Sequence, residues 1–495
     1  MKKISQPSRL QLLLLGAVSI YILLNPLRVS VHIPECADPF YVRVPRTLNT
    51  PHEPSKWPCY VSSLTDYSPP LSRPRSLWRT PKANVGDLNR SQAEYRLHVT
   101  EQRWARFEDA EINILHEGGT SGRAFSDNFA YVQHWLSFIR PLNRCGWNKS
   151  LVMLDTGAGI GSVAAALSDE RGAAGKVKAL SYVWPDNYLR LQTIISDRGF
   201  PAFLANFTGR LPFPSNSFDI VHCKWCWHHL AGYNVWLNEV NRLLVPGGYF
   251  VFTFTPEKGN ILKRPQWDKA LARQPFFCKK IHRIITMCQK RPLLNKKRKA
   301  TNVDKFRVAS YCPTRMKSSI DESKAKLKEN WPQIFEEREK IVDATSVVTR
   351  NSTGRLLNLN CPDEALCMKL DSAFEGNTLH INTWSQQHIV QKILSVGGLA
   401  MLHRWRYNIP VYPRSFDAVN VGCDSKSRYL LKRPTFWVEL HRVLRPGGIV
   451  TVARSFCGWN RKRVTSLMSR YGFEVNDDTG GVLIGARREM YPNNS

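Results

Sequence analysis

The sequence predicts an α/β protein built on a parallel sheet, and three observations support this prediction. The apolar segment "LVMLD" at 151–155 leads into the glycine-rich turn "TGAGIG" and then into the alanine-rich "SVAAAL". Strand-like and helix-like segments alternate from there to about residue 256. A region near 410–455 repeats the later part of the pattern. Strands that alternate with helices favour a parallel sheet with helices on both faces.

The N-terminal segment, residues 1–30, predicts a cytosolic tail and a membrane anchor. Lys2, Lys3 and Arg9 precede the apolar run Leu10–Leu24, which extends to Leu27 if Asn25 and Pro26 are admitted. The run is near the lower limit of about 17 residues for a spanning helix, so a cleaved signal peptide is the alternative. No small-x-small cleavage site follows directly, and we therefore expect an uncleaved signal-anchor. Positive charge before the run predicts a single-pass type II protein whose remainder is lumenal.

Residues 31–105 predict an extended stem between the membrane and the body of the protein. Ten prolines lie between Pro34 and Pro81, and the segment has neither helix nor strand periodicity. Sequons for N-glycosylation include those that begin at Asn89, Asn148, Asn206 and Asn351. They give modest support for a secretory route and a glycoprotein. The twelve cysteines permit lumenal disulfides without specifying their pairing.

Residues 106–260 predict the first folded domain. "SDNFAYVQHWLSFIRPL" is typical of an amphipathic helix capped by Ser126 or Asp127 and ended by Pro141. The predicted strands are, in order, "LVMLD", "KVKALSYV", "PAFLA", "FDIVHC" and "YFVFTFT". Helices are predicted near 161–171, in "NYLRLQTIISDRG" and in "NVWLNEVNRLL". The last of these helices places an apolar stripe on one face: Trp236, Leu237, Val240, Leu243 and Leu244.

Residues 261–380 lack this alternation of strands and helices and predict a basic connecting region. Residues 381–495 predict a second half of the protein. There "SFDAVNV", a later "ELHRVL" and "PGGIVTV" echo "SFDIVHC", "EVNRLL" and "PGGYFVF" of the first domain. Internal duplication explains the echo most economically. The alternative to duplication is that the two segments share a fold without a common origin, because Pro-Gly-Gly is favourable turn chemistry after any helix.

The composition restricts the partners of the protein. Its 495 residues allow two or three domains, and the hydrophobic content of 43% is sufficient for sizeable cores. The formal net charge of +30 indicates an acidic partner: a nucleic acid, an anionic membrane or an acidic polymer. A merely solvated basic surface is the alternative. The close group "CKWCWHH" at 223–229 lacks a second pair of ligands, so no metal site is predicted.

Three segments resemble, in order and spacing, the motifs of class I S-adenosylmethionine-dependent methyltransferases: "LDTGAGIGS", "LPFPSNSFDIVHC" and "EVNRLLVPGGYFVFT". Together with "YPRSFDAVNV" and "ELHRVLRPGGIV", they make the chain similar to plant Golgi methyltransferases of the quasimodo type. The similarity is good over 145–256, fair over 410–455 and poor in the connecting region. It implies a Rossmann-like methyltransferase domain followed by a second, degenerate methyltransferase-like half.

The resemblance also implies which residues hold the cofactor, S-adenosyl-L-methionine. Asp155 and the turn glycines Gly157, Gly159 and Gly161 would contact its methionine and ribose part, since glycines let the backbone approach a ligand. Phe207 would lie near the adenine. Asp186 is the acid available for the ribose hydroxyls, although it lies several residues later than the family pattern places it.

Three residues are catalytic candidates: Asp219, His222 and His228. Asp219 and His222 are expected to end the fourth strand at the carboxyl edge of the sheet, where ligands bind in such folds, and Asp219 is also a cofactor-binding candidate. Core packing or strand capping is the alternative role for Asp219. His228 and His229 are candidate bases or substrate contacts, and the alternative is that they merely end a loop.

The expected acceptor is a carboxylate of an acidic polysaccharide such as homogalacturonan. A hydroxyl or amine acceptor usually needs a base to remove its proton, whereas a carboxylate is already a nucleophile. The resemblance implies a Golgi membrane location, with membership of a Golgi complex as a further expectation and nucleic acid not expected as a partner. Two alternatives stay open: a catalytically silent scaffold in such a complex, and an RNA or protein methyltransferase.

The second half is expected to keep the fold, to lack a cofactor site and to pack against the first half. Gly397 and Gly398 follow a helical stretch and are typical of a helix C-terminus, not of a glycine turn after a strand. Basic residues cluster in sequence around the expected carboxyl edge: Arg404, Arg406, Arg414, Arg428, Lys432 and Arg433. We expect them to help hold an acidic acceptor.

Overall fold

The computed structural model describes residues 40–42, 55–57, 105–108 and 111–114 and, with short gaps, residues 125–291 and 355–487. The predicted tail and signal-anchor lie outside the described residues, as do most of the stem and of the connecting region. Among the described helices, none is long and apolar enough to cross a membrane. Two small antiparallel pairs precede the main body: β1 (Phe40–Val42) with β2 (Ser55–Trp57), and β3 (Ala105–Glu108) with β4 (Glu111–Ile114).

The first main sheet has seven strands, which are β5 (Leu151–Asp155), β6 (Val177–Val183), β7 (Ala202–Leu204), β8 (Phe218–Lys224), β9 (Leu244–Thr253), β10 (Phe276–Lys280) and β11 (Ile285–Lys290). Its described helices are α1 (Asn128–Leu136), α2 (Ser162–Ser168), α3 (Tyr233–Leu243) and α4 (Arg264–Ala272). The order is β7-β6-β5-β8-β9-β11-β10, and β11 alone is antiparallel to its two neighbours, β9 and β10. The strand order reverses between β5 and β8, which makes their carboxyl ends the expected ligand crevice.

The second main sheet also has seven strands, which are β12 (Leu356–Leu359), β13 (Thr378–Thr383), β14 (Leu399–His403), β15 (Phe416–Val421), β16 (Leu444–Ala453), β17 (Phe473–Thr479) and β18 (Val482–Arg487). Its described helices are α5 (Glu364–Ala373), α6 (Gln387–Ser395), α7 (Pro434–Val443) and α8 (Arg461–Arg470), with 3-10 turns at Trp384–Gln386 and Leu430–Lys432. The order β14-β13-β12-β15-β16-β18-β17 matches the first sheet strand for strand. The repeated pattern therefore covers a whole sheet.

The two sheets correct the predicted domain boundaries at 260 and 381. The first sheet continues to Lys290, because "FFCKK" and "ITMCQK" form its last two strands. The lysines that suggested a connecting region lie on the exposed end of β10, at the edge of the sheet. The second sheet begins at Leu356, so "LHINT" belongs to its second strand and not to its first.

Apolar periodicity predicted the helix over α3 correctly. Trp236, Leu237, Val240 and Leu243 are all buried on one face of it. Leu244 is also buried, but it is the first residue of β9 and not a helical residue. Gly397 follows α6 with a φ of +92°, and its N–H donates to the carbonyl of Leu394, which confirms the predicted helix C-terminus.

The two halves pack against each other, as the sequence predicted. A single apolar cluster includes Phe213 and Phe218 of the first half and Leu379 and Leu402 of the second. The N–H of Leu402 donates to the carbonyl of Pro212 over 2.8 Å. Two side chains also join the halves, because the ammonium of Lys178 on β6 lies 2.5 Å from a carboxylate oxygen of Asp371 on α5.

The repeated "SFD" motif fixes the start of the fourth strand to the start of the first in each half. Asp219 accepts a hydrogen bond from the N–H of Val152 over 2.8 Å. Asp417 accepts the equivalent bond from the N–H of Arg355 over 2.8 Å. A buried carboxylate with such a donor stabilises the register between the two strands.

The repeated Glu-x-x-Arg motif forms a second structural clamp. Glu239 accepts from the N–H of Leu211, while Arg242 donates to the carbonyl of Phe213. In the second half Glu439 accepts from the N–H of Ile409, and Arg442 donates to the carbonyl of Val411. The motifs that made the resemblance most specific therefore hold loops and strand ends in place.

Candidate functional site

The glycine turn lies at the carboxyl end of β5, where the strand order of the first sheet reverses. Gly159 and Gly161 have φ angles of +53° and +78°, which residues with a side chain rarely adopt. Gly157 is required for a different reason. A Cβ atom at that position would lie 2.0 Å from the carbonyl oxygen of Lys224, so only glycine lets the turn pack against the end of β8.

A buried chain of polar side chains lies directly below this turn. Asp155 Oδ1 accepts from His222 Nδ1 over 2.9 Å, and the hydroxyl of Tyr131 donates to His222 Nε2 over 2.8 Å. The rings of Trp135 and His222 stack with centroids 5.8 Å apart. Burial, and then the charge of Asp155, raise the pKa of Tyr131 well above its ordinary value, so this phenol keeps its proton. The chain of bonds ties α1 to β5 and β8.

Further bonds hold α1 and the turn over the same edge. The ammonium of Lys224 donates to Asn128 Oδ1 over 2.9 Å and lies 5.8 Å from the centroid of the Tyr131 ring. Both the N–H and the hydroxyl of Thr156 donate to the carbonyl of His222. Sequence reasoning missed these roles of α1. The available signal was the spacing of Asn128, Tyr131 and Trp135, which places polar atoms on the buried face of a helix.

Asp155 keeps one oxygen for a ligand. Its Oδ2 is buried and has no hydrogen-bond partner among the described residues, and the hydroxyl of Ser181, the neighbour of Asp155 on β6, is in the same state. An unpaired buried carboxylate oxygen is costly unless a donor binds to it. An ammonium or a hydroxyl of S-adenosylmethionine would be such a donor, so Asp155, Ser181 and the glycine turn fit this cofactor.

The structure brings some of the predicted site residues together, and others lie outside the described residues. Asp155, Gly157, Gly159 and Gly161 come together at the carboxyl edge. Asp186, Phe207 and His228 lie outside the described residues, as does His229.

The predicted place of Asp219 at the carboxyl edge is wrong. It is the second residue of β8 and binds the start of β5, at the opposite edge, because the "SFD" motif begins the strand and does not end it. Its alternative role as a strand cap is the one that the structure supports. His222 lies further along β8, but it is completely buried and both ring nitrogens are hydrogen-bonded. Its geometry is that of a positioning residue.

A basic rim lies at the same edge and was missed because its residues were assigned to the connecting region. Ile285, the first residue of β11, pairs with Thr253, the last residue of β9, so the turn between β10 and β11 lies at the carboxyl edge. There the ring of Phe125 lies 4.7 Å from that of His282 and 5.2 Å from that of His134. Burial lowers the pKa of His282, and the neighbouring His134, Arg283 and Lys280 lower it further.

The equivalent edge of the second half has neutral polar residues. By strand register Asn358 stands where Asp155 stands, and Asn420 stands where His222 stands. Asn420 donates to Asn358 Oδ1 over 2.9 Å, and Thr451 donates to Asn420 Oδ1 over 2.9 Å. Asn358 also bonds to His380, whose pKa is lowered to about 3 by burial and by Lys178, so this ring is neutral.

A disulfide takes the place of the glycine turn in the second half. After β12 the chain continues through Asn360 to Cys361, which is bonded to Cys367 on α5. Among the residues described here, no glycine follows β12 before that helix. The second sheet therefore lacks the feature that fits the cofactor in the first.

We predict that Tyr131 and Asp219 differ in their effect on cofactor binding. Tyr131→Phe leaves His222 Nε2 without its donor and loosens α1, so the affinity for S-adenosylmethionine should fall about tenfold. Asp219→Ala leaves a buried N–H unpaired and should cost about 1–3 kcal/mol of unfolding free energy with unchanged cofactor affinity. Denaturant unfolding and titration calorimetry measure the two quantities. A folded Asp219→Ala protein that no longer binds the cofactor would restore Asp219 to the site.

Known proteins match this chain over long segments. Residues 42–356, more than half of the chain, match the family model described as "Putative S-adenosyl-L-methionine-dependent methyltransferase". Among curated proteins of Arabidopsis thaliana, the probable methyltransferase PMT28 is 25% identical over 434 residues, which are 78% of this chain and 57% of that protein. The probable methyltransferase PMT22 is 34% identical over 41% of this chain and 32% of that protein. This chain thus spans little more than half, or less, of the length of these two relatives.

Two further proteins are similar to this chain, one of them a solved structure. The probable pectin methyltransferase QUA3 of Arabidopsis thaliana is 26% identical over 87% of this chain and 78% of that protein. A solved methyltransferase of Aquifex aeolicus covers 31% of this chain and 87% of its own, with 15% identity and a TM-score of 0.25. The family match, which confirms the resemblance drawn from the motifs, shows that this chain belongs to the S-adenosyl-L-methionine-dependent methyltransferase family that the model describes.

Proposed function

We propose that this protein transfers a methyl group from S-adenosylmethionine to carboxylates of an acidic polysaccharide such as homogalacturonan. The observation that carries the proposal is the glycine turn above the buried chain of Asp155, His222 and Tyr131. When bound there, the cofactor supplies an electrophilic methyl group: the acceptor oxygen forms the new C–O bond while the C–S electron pair stays on sulfur. The chain's own residues position the two reactants, and positioning supplies much of the rate of such a displacement.

The two titratable groups bonded to each other below the glycine turn, His222 and Tyr131, are not available as bases, which favours an acceptor that needs none. His222 has both ring nitrogens occupied, and the phenol of Tyr131 keeps its proton. A carboxylate requires no proton removal, because it is ionised at neutral pH. It needs only to be held and partly desolvated beside the methyl group.

Charge supports an anionic acceptor. The chain carries a formal net charge of +30, and the rim beside the site includes the exposed side chains Lys279, Lys280 and Arg283. A positive rim attracts a polyanion and raises its local concentration. The name of QUA3 as a probable pectin methyltransferase agrees with this class of acceptor, since pectin is rich in galacturonate.

The residue changes at the second edge support a single cofactor per chain. The disulfide Cys361–Cys367 replaces the glycine turn, and Asn358 replaces the acid Asp155. Without that acid and that turn, the second half offers no equivalent cradle for the methionine part of the cofactor. The degenerate half serves as structure and as part of the acceptor surface.

We predict that Gly159→Val abolishes cofactor binding. The substitution puts branched carbons where the backbone must approach the cofactor, and the positive φ adds strain of about 1–3 kcal/mol. Gly447→Val is the matched control, because Gly447 also has a positive φ, of +71°, and has nothing within 4 Å of the position of its Cβ. Calorimetry should find one cofactor per chain for the parent and the control. Parent-like binding by folded Gly159→Val, or two cofactors per chain, would contradict the assignment.

We predict that the purified protein labels de-esterified homogalacturonan when it is given S-adenosylmethionine with a labelled methyl group. The label should be released by mild base, as expected of a methyl ester, and its incorporation should fall as salt screens the charges. Fully esterified homogalacturonan, a neutral glucan, an RNA and a basic peptide serve as comparisons. Label in RNA or peptide would favour the nucleic acid or protein methyltransferase. Cofactor binding without transfer to any acceptor would favour the silent scaffold.

We propose a Golgi location with a type II orientation. The charges of Lys2, Lys3 and Arg9 before the run Leu10–Leu24 support it. So do the disulfides Cys278–Cys288 and Cys361–Cys367, which are typical of an oxidising compartment. We predict that the tagged chain co-localises with Golgi markers and that glycosidase treatment increases its gel mobility. A cytosolic distribution, or a mature N-terminus near residue 30, would contradict the anchor.

A further inference from the structure

We propose that the carboxyl edge of the second sheet binds a uronic acid unit of the acceptor, through Trp384, Arg404 and Trp405. The proposal rests on the proposed function for the identity of the acceptor. It assigns a second ligand site to the half that lacks the glycine turn. The site is made of two half-buried indole rings and one exposed guanidinium group.

The topology brings these three residues to one place. β13 and β14 are parallel neighbours whose last residues, Thr383 and His403, pair in register. Trp384 directly follows the first strand, and Arg404 and Trp405 directly follow the second. The guanidinium carbon of Arg404 lies 5.6 Å from the centroid of the Trp384 ring. This is the edge at which doubly wound sheets bind their ligands.

Each tryptophan is held by buried amides. Trp405 Nε1 donates to Asn360 Oδ1 over 3.1 Å, and its ring packs edge-on against those of His403 and Phe436. The turn that carries Trp384 is fixed by Asn382, which donates to Gln386 Oε1 over 3.1 Å and to the carbonyl of Cys361 over 2.9 Å. Rings fixed in this way lose little conformational entropy when a ligand stacks on them.

The same amides have unused hydrogen-bonding capacity. Asn360 Nδ2 and Asn382 Oδ1 are buried and have no partner within the described parts of the chain. The two residues are neighbours across β12 and β13, because the N–H of Asn360 donates to the carbonyl of Ile381. A donor and an acceptor at the ends of neighbouring strands match the hydroxyl groups of a sugar, which both accept and donate.

The charge of this edge selects an acidic sugar. The described residues that end β12, β13 and β14 include no carboxylate, and Asn358 stands where the first half has Asp155. A uronate would meet no repulsion from those described residues, and its carboxylate would form a charge-assisted hydrogen bond with Arg404. A pyranose ring also presents a face of C–H groups, which packs on a flat indole as other apolar surfaces do.

The test measures binding of a size-defined oligogalacturonide to the full chain by calorimetry, with no cofactor present. Arg404→Ala and Trp384→Ala should each weaken binding about tenfold, the loss expected for one charge-assisted or stacking contact. Arg291→Ala is the matched control. Its guanidinium carbon also lies over an aromatic ring, 4.6 Å from the centroid of Phe277, but on the first half. The affinity of Arg291→Ala for the oligogalacturonide should stay within about twofold of that of the parent chain.

Three results would overturn the proposal: no binding by the parent chain, equal affinity for a neutral oligoglucan, or parent-like binding by both site variants. Arg404 is exposed, so its variant remains informative if Trp384→Ala fails to fold. The outcome is separable from that of the proposed function. If the parent binds the oligogalacturonide and the site variants bind it weakly, but no methyl group is transferred, the proposed function is rejected and the binding site is kept. If methyl transfer is observed and the site variants bind as tightly as the parent, the binding site is rejected and the proposed function is kept.

Discussion

The first half depends on how β5 and β8 are joined at both of their ends. At the amino end, the carboxylate of Asp219 binds the N–H of Val152 and fixes the register. At the carboxyl end, the carboxylate of Asp155 binds the ring of His222. The turn glycines, the helix α1 and the unpaired oxygen of Asp155 take their positions from this second bond. The bond at the amino end serves the fold, whereas the residues at the carboxyl end also form the candidate cofactor site.

The second half keeps the bonds of one of those two ends and changes those of the other. At the amino end Asp417 and the pair Glu439 and Arg442 reproduce the clamps of the first half with backbone partners at equivalent positions. At the carboxyl end Asn358 and Asn420 replace the ionisable pair, and a disulfide replaces the glycine turn. The fold is kept where its buried hydrogen bonds are kept, and at the carboxyl edge the second half has a different buried network in place of the first one.

Local signals in the sequence predicted the central elements and the glycine turn. An apolar run that ends in alternating glycines, and a helix with one apolar face, each express their structure within a few residues. The edge strand β10 and the central strand β12 were missed for different reasons. β10 is half polar because an edge strand faces solvent, and β12 has only four residues, too few for a period to be read. The role of Tyr131 depends on a residue 91 positions away, which no local pattern encodes.

The packing of the halves fixes the end of β14 against the first half. β14 carries Arg404 and Trp405 at its end, and it is the strand of the second sheet that packs beside β6. The bond from Leu402 to Pro212 and the ion pair of Lys178 with Asp371 hold this contact in one arrangement. Pro212 in turn lies between the two residues held by the Glu239 and Arg242 clamp, so the contact is anchored to the frame of the first half.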